Sequence, residues 1–359
     1  MQRQPEQVPI FYKNTMHEEK KEQELFEHHK FVVDKKQKPI RIDKYLFSYI
    51  SNSTRTRIQC AAEVGSILVN GKTVKSSYKV KPEDIITIVL AYPPLEIELL
   101  PENIPIDIVY EDDDLLVINK KAGMVVHPTY GNYSGTLVNA LLFYLNGKDA
   151  SLKVNLDDEN SVRPGLVHRL DKETSGLMIV AKNELATARL AKDMFDRKIS
   201  RKYCALVWGD IKKDSETITG NIGRSLSDRK KMAVFPEGNH GKHAVTHYKV
   251  LERFGYVTLI ECVLETGRTH QIRVHMKHIG HTVFGDKDYG GNKILKGTTA
   301  AKYKFFIDEC FNICQRQALH AKSLSFVHPS TKKLLQFESN LPDDIQFVIK
   351  RWREYIGNR

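Results

Sequence analysis

The stretch His168-Arg169-Leu170-Asp171-Lys172-Glu173-Thr174-Ser175-Gly176-Leu177 sets charged and hydroxyl side chains between two apolar runs, RPGLV before it and LMIVA after it. Asp171 therefore belongs to a loop carried by strand-like segments, a setting that holds a reactive group still and leaves it reachable. The same spacing allows a plainer reading, a capped turn in which Thr174 and Ser175 bond to backbone amides. Several chemistries drop out by pattern. Neither GxGxxG nor GxxxxGK occurs here, so no phosphate loop or nucleotide-cofactor site is indicated. Ser175-Gly176 lacks the G-x-S-x-G elbow of a serine hydrolase. A hydrolase with paired carboxylates would want a second acid aimed with Asp171, and the neighbouring Glu173 points elsewhere in a strand or a turn.

Two further constellations carry reactive side chains. In LETGRTHQIRVHMKHIGHTVFGDKDYGG, residues 264–291, a strand ends at Thr266-Gly267 and a helix follows. Its core face is Ile272, Met276 and Ile279, which leaves Arg273 off the apolar stripe and free to reach a polar cleft. His270, His275, His278 and His281 lack the H-E-x-x-H pattern and any companion cysteine, and Gly280 ends the helix before His281, so no metal is expected. In RKISRKYCALVWG, a basic helix end leads into a strand carrying Tyr203. Such a tyrosine belongs to the core or the sheet surface, or, at the edge of a basic cleft, stacks on a base. The loop GRSLSDRKKMAVFPEGNHGKH, residues 223–243, holds Arg224, Arg229, Lys230, Lys231, Lys242 and His243. It is either a solvated loop or, beside a cleft, a clamp on phosphates.

The elements that must position these residues follow from composition and texture. With 359 residues, 41% of them hydrophobic, the chain can bury a large core and divide into more than one domain. A net charge of +11 points to a polyanionic partner such as nucleic acid. No apolar run is long enough for a membrane span, and the N-terminus lacks the apolar segment of a secretory signal. The five cysteines are odd in number and scattered, as in reduced intracellular proteins, so Cys310 and Cys314 read as packed thiols.

Residues 1–38, rich in Glu, Lys and Gln, read as a charged, solvated arm. RIDKYLFSYI and TRTRIQCAAEVG read as two short amphipathic helices, the second closed by Gly65. Asn70-Gly71 between β-branched runs predicts a tight hairpin, and SSYKVKPEDIITIVL another strand. These elements form a compact module over 39–92. Between 41 and 90 it carries eight basic residues against four acidic ones, with Arg41, Arg55, Arg57 and Lys72 as candidate phosphate contacts. A proline-punctuated linker, 93–106, leads to the larger domain, 107–359. There strands outnumber helices without βαβ alternation, which predicts an α+β fold on a mostly antiparallel sheet.

RIDKYL, TRTRIQ, SILVNGK and YKVKPEDI together resemble the alpha-L, or S4-like, RNA-binding module. RPGLVHRLDKETSGLMIVAKN, ISRKYCALVWG and LETGRTHQIRVHMKHIGHTVFGDKDYG resemble the RluA-type branch of the RNA pseudouridine synthases, and with the front module the chain is most similar to its RluD-like members. The resemblance spans roughly residues 41–335. It implies conversion of uridine to pseudouridine within RNA, with Asp171 as the catalytic aspartate, Tyr203 as the active-site tyrosine and Arg273 as the arginine that pairs with the aspartate. It makes Arg169 the residue that enters the helix where a base has left. His168 beside it, and Arg224, Lys230 and Lys231 from the charge of the basic loop, are further candidate RNA contacts. Lys120 and Gly123 fall in the first motif of the family, where Lys121 replaces the usual proline. SLSD likewise replaces a common His-Pro-containing stretch in the basic loop.

The implied reaction detaches uracil from ribose carbon 1, turns it and rejoins it through carbon 5. A flipped nucleotide in a closed pocket is therefore required, at a few kcal/mol of unstacking. Asp171 has to be ionised, either to attack carbon 1 or to remove a ribose proton, and Tyr203 could relay the proton lost from carbon 5. No cofactor and no metal is expected, because the reaction is an isomerisation. The expected partner is RNA, with ribosomal RNA of the large subunit ahead of transfer RNA, for a cytoplasmic monomer. The rival is a non-catalytic RNA-binding or ribosome-assembly protein, which would share the basic module without needing Asp171, Tyr203 and Arg273 together.

Overall fold

The computed structural model describes residues 25–50, 53–90, 96–129, 132–148, 150, 152–155 and 165–357. The N-terminal module contains β1 (Phe26–Val32), α1 (Ile42–Tyr49), α2 (Arg55–Glu63), β2 (Ile67–Val69), β3 (Lys72–Thr73) and β4 (Ile85–Leu90). Ile42, Leu46, Ile58, Ile67 and Ile86 close its core. Asn70 and Gly71 both have positive φ, 50° and 78°, as a primed hairpin turn demands.

The expected charged arm needs correction at its C-terminal end. Residues 1–24 lie outside the described residues, but Phe26–Val32 is a strand that pairs antiparallel with β4, in the sheet order β1-β4-β2-β3. The module therefore starts near Phe26 rather than at 39. Its strand is disguised in the sequence because its most buried side chain is His28, not an aliphatic. It covers the edge of β4 that would otherwise stay open.

The larger domain runs β5 (Glu96–Leu99), β6 (Ile108–Glu111), β7 (Leu115–Lys120), α3 (Leu137–Asn146), β8 (Leu152–Asn155), β9 (Ser175–Ala181), α4 (Glu184–Phe195) and β10 (Ser200–Trp208). It continues with β11 (Ser215–Arg224), β12 (Met232–Phe235), β13 (Lys242–Arg253), β14 (Val257–Leu264), α5 (Gln271–His278), α6 (Ala301–Ile313), β15 (Leu319–Val327), β16 (Leu334–Glu338) and α7 (Asp343–Gly357). A ten-stranded sheet follows the order β12-β11-β13-β14-β10-β15-β9-β7-β6, with β16 on β15. Among these pairs only β9 and β15 run parallel, so the expected α+β fold on a mostly antiparallel sheet is what forms. The linker expected over 93–106 is shorter: 93–95 lie outside the described residues, and β5 already pairs with β8. Leu99 is buried in the main core of the larger domain with Leu116 and Leu137.

The period of two along β10 divides the molecule into layers. Tyr203, Ala205 and Val207 face a core that α3 and α5 cover through Leu141, Ile272 and Met276. Cys204, Leu206 and Trp208 face the opposite side, where Tyr303 and Phe306 of α6 and Val348 and Trp352 of α7 pack. Cys310 and Cys314 are buried in this second layer, and burial pushes their thiols up to about 12 and about 11, which keeps them protonated and unreactive. Among the described residues no helix is long and apolar enough to cross a membrane.

Candidate active site

Asp171 sits on a turn that its own carbonyl closes by accepting from the Thr174 amide at 3.0 Å. The next carbonyls are gripped by buried cations. Lys120, at the end of β7, donates to the carbonyl of Lys172 at 3.1 Å as well as to those of Lys121 and Met124. Arg316 donates to the carbonyl of Glu173 at 3.0 Å and is held bidentate by Asp344 of α7. Burial pulls the Lys120 ammonium down to about 8. Thr174 and Ser175 brace the loop, but not by capping backbone amides. Thr174 Oγ1 accepts from Gln317 Nε2 at 3.2 Å, and Ser175 Oγ bonds His320 Nδ1 at 2.9 Å. Gly176, at φ +120°, makes this approach possible, since a Cβ there would lie 2.3 Å from the Ala321 carbonyl oxygen.

Arg273 Nη1 donates to Asp171 Oδ2 at 3.1 Å. Arg273 reaches the polar cleft from its place off the apolar stripe, and does so as a buried group, its side chain only 3% exposed. Helix α5 is buried nearly all round: Ile272 and Met276 enter the main core, Val274 packs with Ile222 and Tyr289, and His275 bonds Thr246. Arg273 is fixed by Asp286, fully buried, which accepts from Nε at 2.7 Å and from Nη2 at 2.8 Å, and by Asp288. Burial opposes its charge, yet Asp286 and Asp171 outweigh that and hold the guanidinium well above its ordinary range. The aspartate is thus paired with a cation that cannot move.

Tyr203 is 5% exposed, and burial pushes its phenol up, so it stays protonated at neutral pH. Two residues earlier on the same face of β10, Arg201 also enters the cleft, with its Nε buried and unpartnered among the described residues. Lys202 faces the other way and pairs with Glu261. Arg201 was absent from the sequence-derived candidates, although the strand period counted back from Tyr203 would have found it. His168 needs correction as an RNA contact. Its Nε2 accepts from the Ile179 amide at 2.9 Å, which places the proton on Nδ1, and burial pulls the ring down to about 3. It is a neutral brace rather than a charge for phosphate.

These groups line one cleft of about 660 Å³. Arg169 is exposed on its wall beside Asp171, and Arg224, Lys230, Lys242 and Arg268 add positive charge. Lys231 is not among the lining residues and pairs with Asp228 at 3.1 Å. Ser48 and Tyr49 of the N-terminal module complete the rim. The module is docked by Arg229, whose guanidinium lies 3.7 Å above the Phe47 ring and donates to the carbonyls of Phe47, Ile50 and Ser53 near the end of α1. Within the module, Arg41 and Arg55 are half-exposed and share Asp43, while Arg57 and Lys72 are exposed. Burial pushes the Asp43 carboxyl up, but Arg41, Gln59 and Arg55 outweigh it and hold the group at about 2.

The histidines in and around α5 have separate protein partners: His270 bonds Tyr289, His275 bonds Thr246, and His281 bonds the Trp208 carbonyl. Outside the cleft, Asp112, Asp114 and His328 bring donor atoms within 4.8 Å of one another. They form a hydrogen-bonded corner in which His328 Nδ1 accepts from the amides of Ser330 and Thr331, leaving Nε2 to donate to Asp112.

Residues 114–278 match the family model described as RNA pseudouridylate synthase, and residues 40–86 match the S4 domain. An uncharacterized RNA pseudouridine synthase of Chlorobaculum parvum is 50% identical over 89% of this chain and 96% of its own length. The chain belongs to the RNA pseudouridine synthase family. The ribosomal large subunit pseudouridine synthase D of Zymomonas mobilis is 42% identical to the synthase over 86% of this chain and 93% of its own. A solved structure of human RNA pseudouridylate synthase domain containing 4 covers 69% of the chain and 93% of its own at 24% identity, with a TM-score of 0.53, which agrees with the fold. The synthase is accordingly an isomerase acting on RNA, and the resemblance seen in its three motifs and front module holds over most of the chain.

Proposed function

We propose that this synthase isomerises specific uridines of large-subunit ribosomal RNA to pseudouridine, as a cytoplasmic monomer, with Asp171 as its catalytic group. The observation that carries the reading is the Asp171 carboxylate held by the immobile Arg273 inside a basic cleft. RNA phosphates are drawn to the positive rim, and the target nucleotide leaves its stack to enter the cleft, with Arg169 filling the space it vacates. Asp171 then works on the exposed ribose, by attack at carbon 1 or by removing a ribose proton, while Arg273 keeps one carboxylate oxygen oriented. Tyr203, a protonated phenol on the pocket wall, lies against the uracil. After the bond from ribose carbon 1 to the base nitrogen has broken and the carbon–carbon bond has formed, its hydroxyl oxygen accepts the carbon 5 proton as it gives its own to solvent, while the freed ring nitrogen takes a proton from solvent. Substrate and product are isomers, so the atoms balance without a cofactor. Support for the ribosomal substrate comes from the similarity to the large-subunit synthase of Zymomonas mobilis.

The expected result for Asp171→Asn is RNA binding close to wild type with no product. Carbodiimide mapping of pseudouridine in ribosomal and transfer RNA from a strain lacking the gene, complemented by each form, measures this. Full modification by the variant would overturn the assignment, and loss of a transfer-RNA site alone would move the substrate to that class.

A further inference from the structure

On α4, Ala186 and Leu190 are buried beneath the sheet and Met194 packs against the same cluster, so the helix spends its apolar stripe there. Phe195, the last residue of α4, falls off that stripe and is 87% exposed. An isolated exposed phenyl is ordinary on a protein surface, but this one lies on the wall of the cleft that holds Asp171. Just beyond it the chain turns through Arg197 in a left-handed conformation, φ 60°, and is pinned by the buried Ile199 before entering β10. Phe195 is thus set on a short tether between the helix and the strand that carries Arg201 and Tyr203.

We infer that Phe195 is a stacking platform for a nucleobase adjacent to the flipped uridine. The occupant follows from charge. Besides Phe195 the cleft is lined by Arg169, Arg201, Arg224, Lys230, Lys242 and Arg268, and the one acidic group among its described lining residues, Asp171, is already paired with Arg273. An apolar protein segment carries no charge to match this lining, whereas single-stranded RNA offers phosphates to the cations and a π-face to the ring. The flipped uracil itself belongs with the buried Tyr203, so the solvent-facing ring at the rim meets a neighbour that has stayed in the strand. This rests on the proposed RNA-modifying reading and adds a contact that sets how the strand is threaded.

The test uses the full chain and an oligouridine RNA carrying one 2-aminopurine, whose fluorescence falls when it stacks. Wild type is expected to quench it. Phe195→Ala and Phe195→Leu are expected to lose the quenching and to bind about 5- to 150-fold more weakly, the equivalent of the roughly 1–3 kcal/mol a stacked base contributes. Phe195→Tyr is expected to restore both. Melting temperature should stay unchanged because the ring is exposed, and pseudouridine formation at saturating RNA should be largely kept while KM rises. Equal binding by wild type and Phe195→Ala overturns the inference, as does a leucine that serves as well as tyrosine. A change of oligomeric state in place of RNA affinity overturns it in favour of contact with a second copy of the chain. Absence of product with wild type would count against the functional reading alone, because the quenching does not depend on turnover.

Discussion

At the scale of single residues, the centre is a chain of charges: Asp171, Arg273 and the buried Asp286, with Asp288 at its outer end. An arginine is needed because one planar group must serve three carboxylates at once, and a lysine ammonium cannot reproduce that fork. Arg273→Lys is therefore expected to fold, keep RNA affinity, and lose about 100-fold or more in kcat, a loss comparable to removing one preorganised donor. Single-turnover kinetics would show it, and a lysine variant with wild-type kcat would remove Arg273 from the site. A second set of residues governs acid stability. Burial holds His168 at about 3 and His275 and His320 at about 4, against an ordinary value of 6.5. Between about 4 and 6.5 the unfolded chain binds protons that the folded chain refuses, so stability is full above 6.5 and falls as the pH drops toward 4. Urea midpoints should follow this slope, and His320→Gln should flatten it.

At the scale of elements, the loop that carries Asp171 is suspended between distant parts of the chain. Lys120 closes β7 onto it, and Arg316, just ahead of β15, ties it to Asp344 at the start of α7. Displacing reactive groups by about 1 Å can cost about 100-fold, so a tie at this distance matters to rate. Arg316→Met, which keeps the apolar stem, is expected to lower kcat by about 10-fold or more with little change in KM. An equal change in both, with a collapsed melting temperature, would instead mark Arg316 as general scaffold. Much of this level was legible. The hairpin at Asn70-Gly71 and the core face of α5 follow from turn chemistry and helical period, and both form as expected. Helix α7 carries Ile345, Val348, Ile349 and Trp352 at helical spacing, a stripe that a strand-dominated reading passed over. Strands β1 and β5 were hidden for physical reasons: one buries a histidine, and the other follows prolines that mimic a linker.

For the whole molecule, the basic segment 223–243, which folds as the end of β11, the strand β12 and the start of β13, has two jobs. Arg224, Lys230 and Lys242 line the cleft, while Arg229 points to the other domain and donates to the carbonyls near the end of α1. The S4 module is thereby seated so that Ser48 and Tyr49 form part of the rim of the Asp171 cleft. Arg229→Ala is expected to release it, raising the radius of gyration in small-angle scattering and weakening RNA binding, with the chemistry of bound RNA unchanged. A scattering curve identical to wild type would show that other contacts, such as Lys38 with the Glu237 carbonyl, suffice. The split between cleft and latch could not be read from composition, since a run of like charges says nothing about which side chain faces which domain.

The amino-acid order alone determined the family motifs, the polyanionic partner, the antiparallel α+β character and the placement of Asp171 on a strand-supported loop. These depend on local periodicity, turn chemistry and charge, which neighbours in sequence encode. Only the tertiary structure decided that Arg273 is buried and fixed by Asp286, that His168 is a neutral brace, and that Arg201 and Phe195 share the cleft. It also decided that Thr174 and Ser175 lean on Gln317 and His320. Thr174 and Ser175 meet partners 143 and 145 positions away, and the others depend on low exposure and a shared cavity, which arise when the sheet closes.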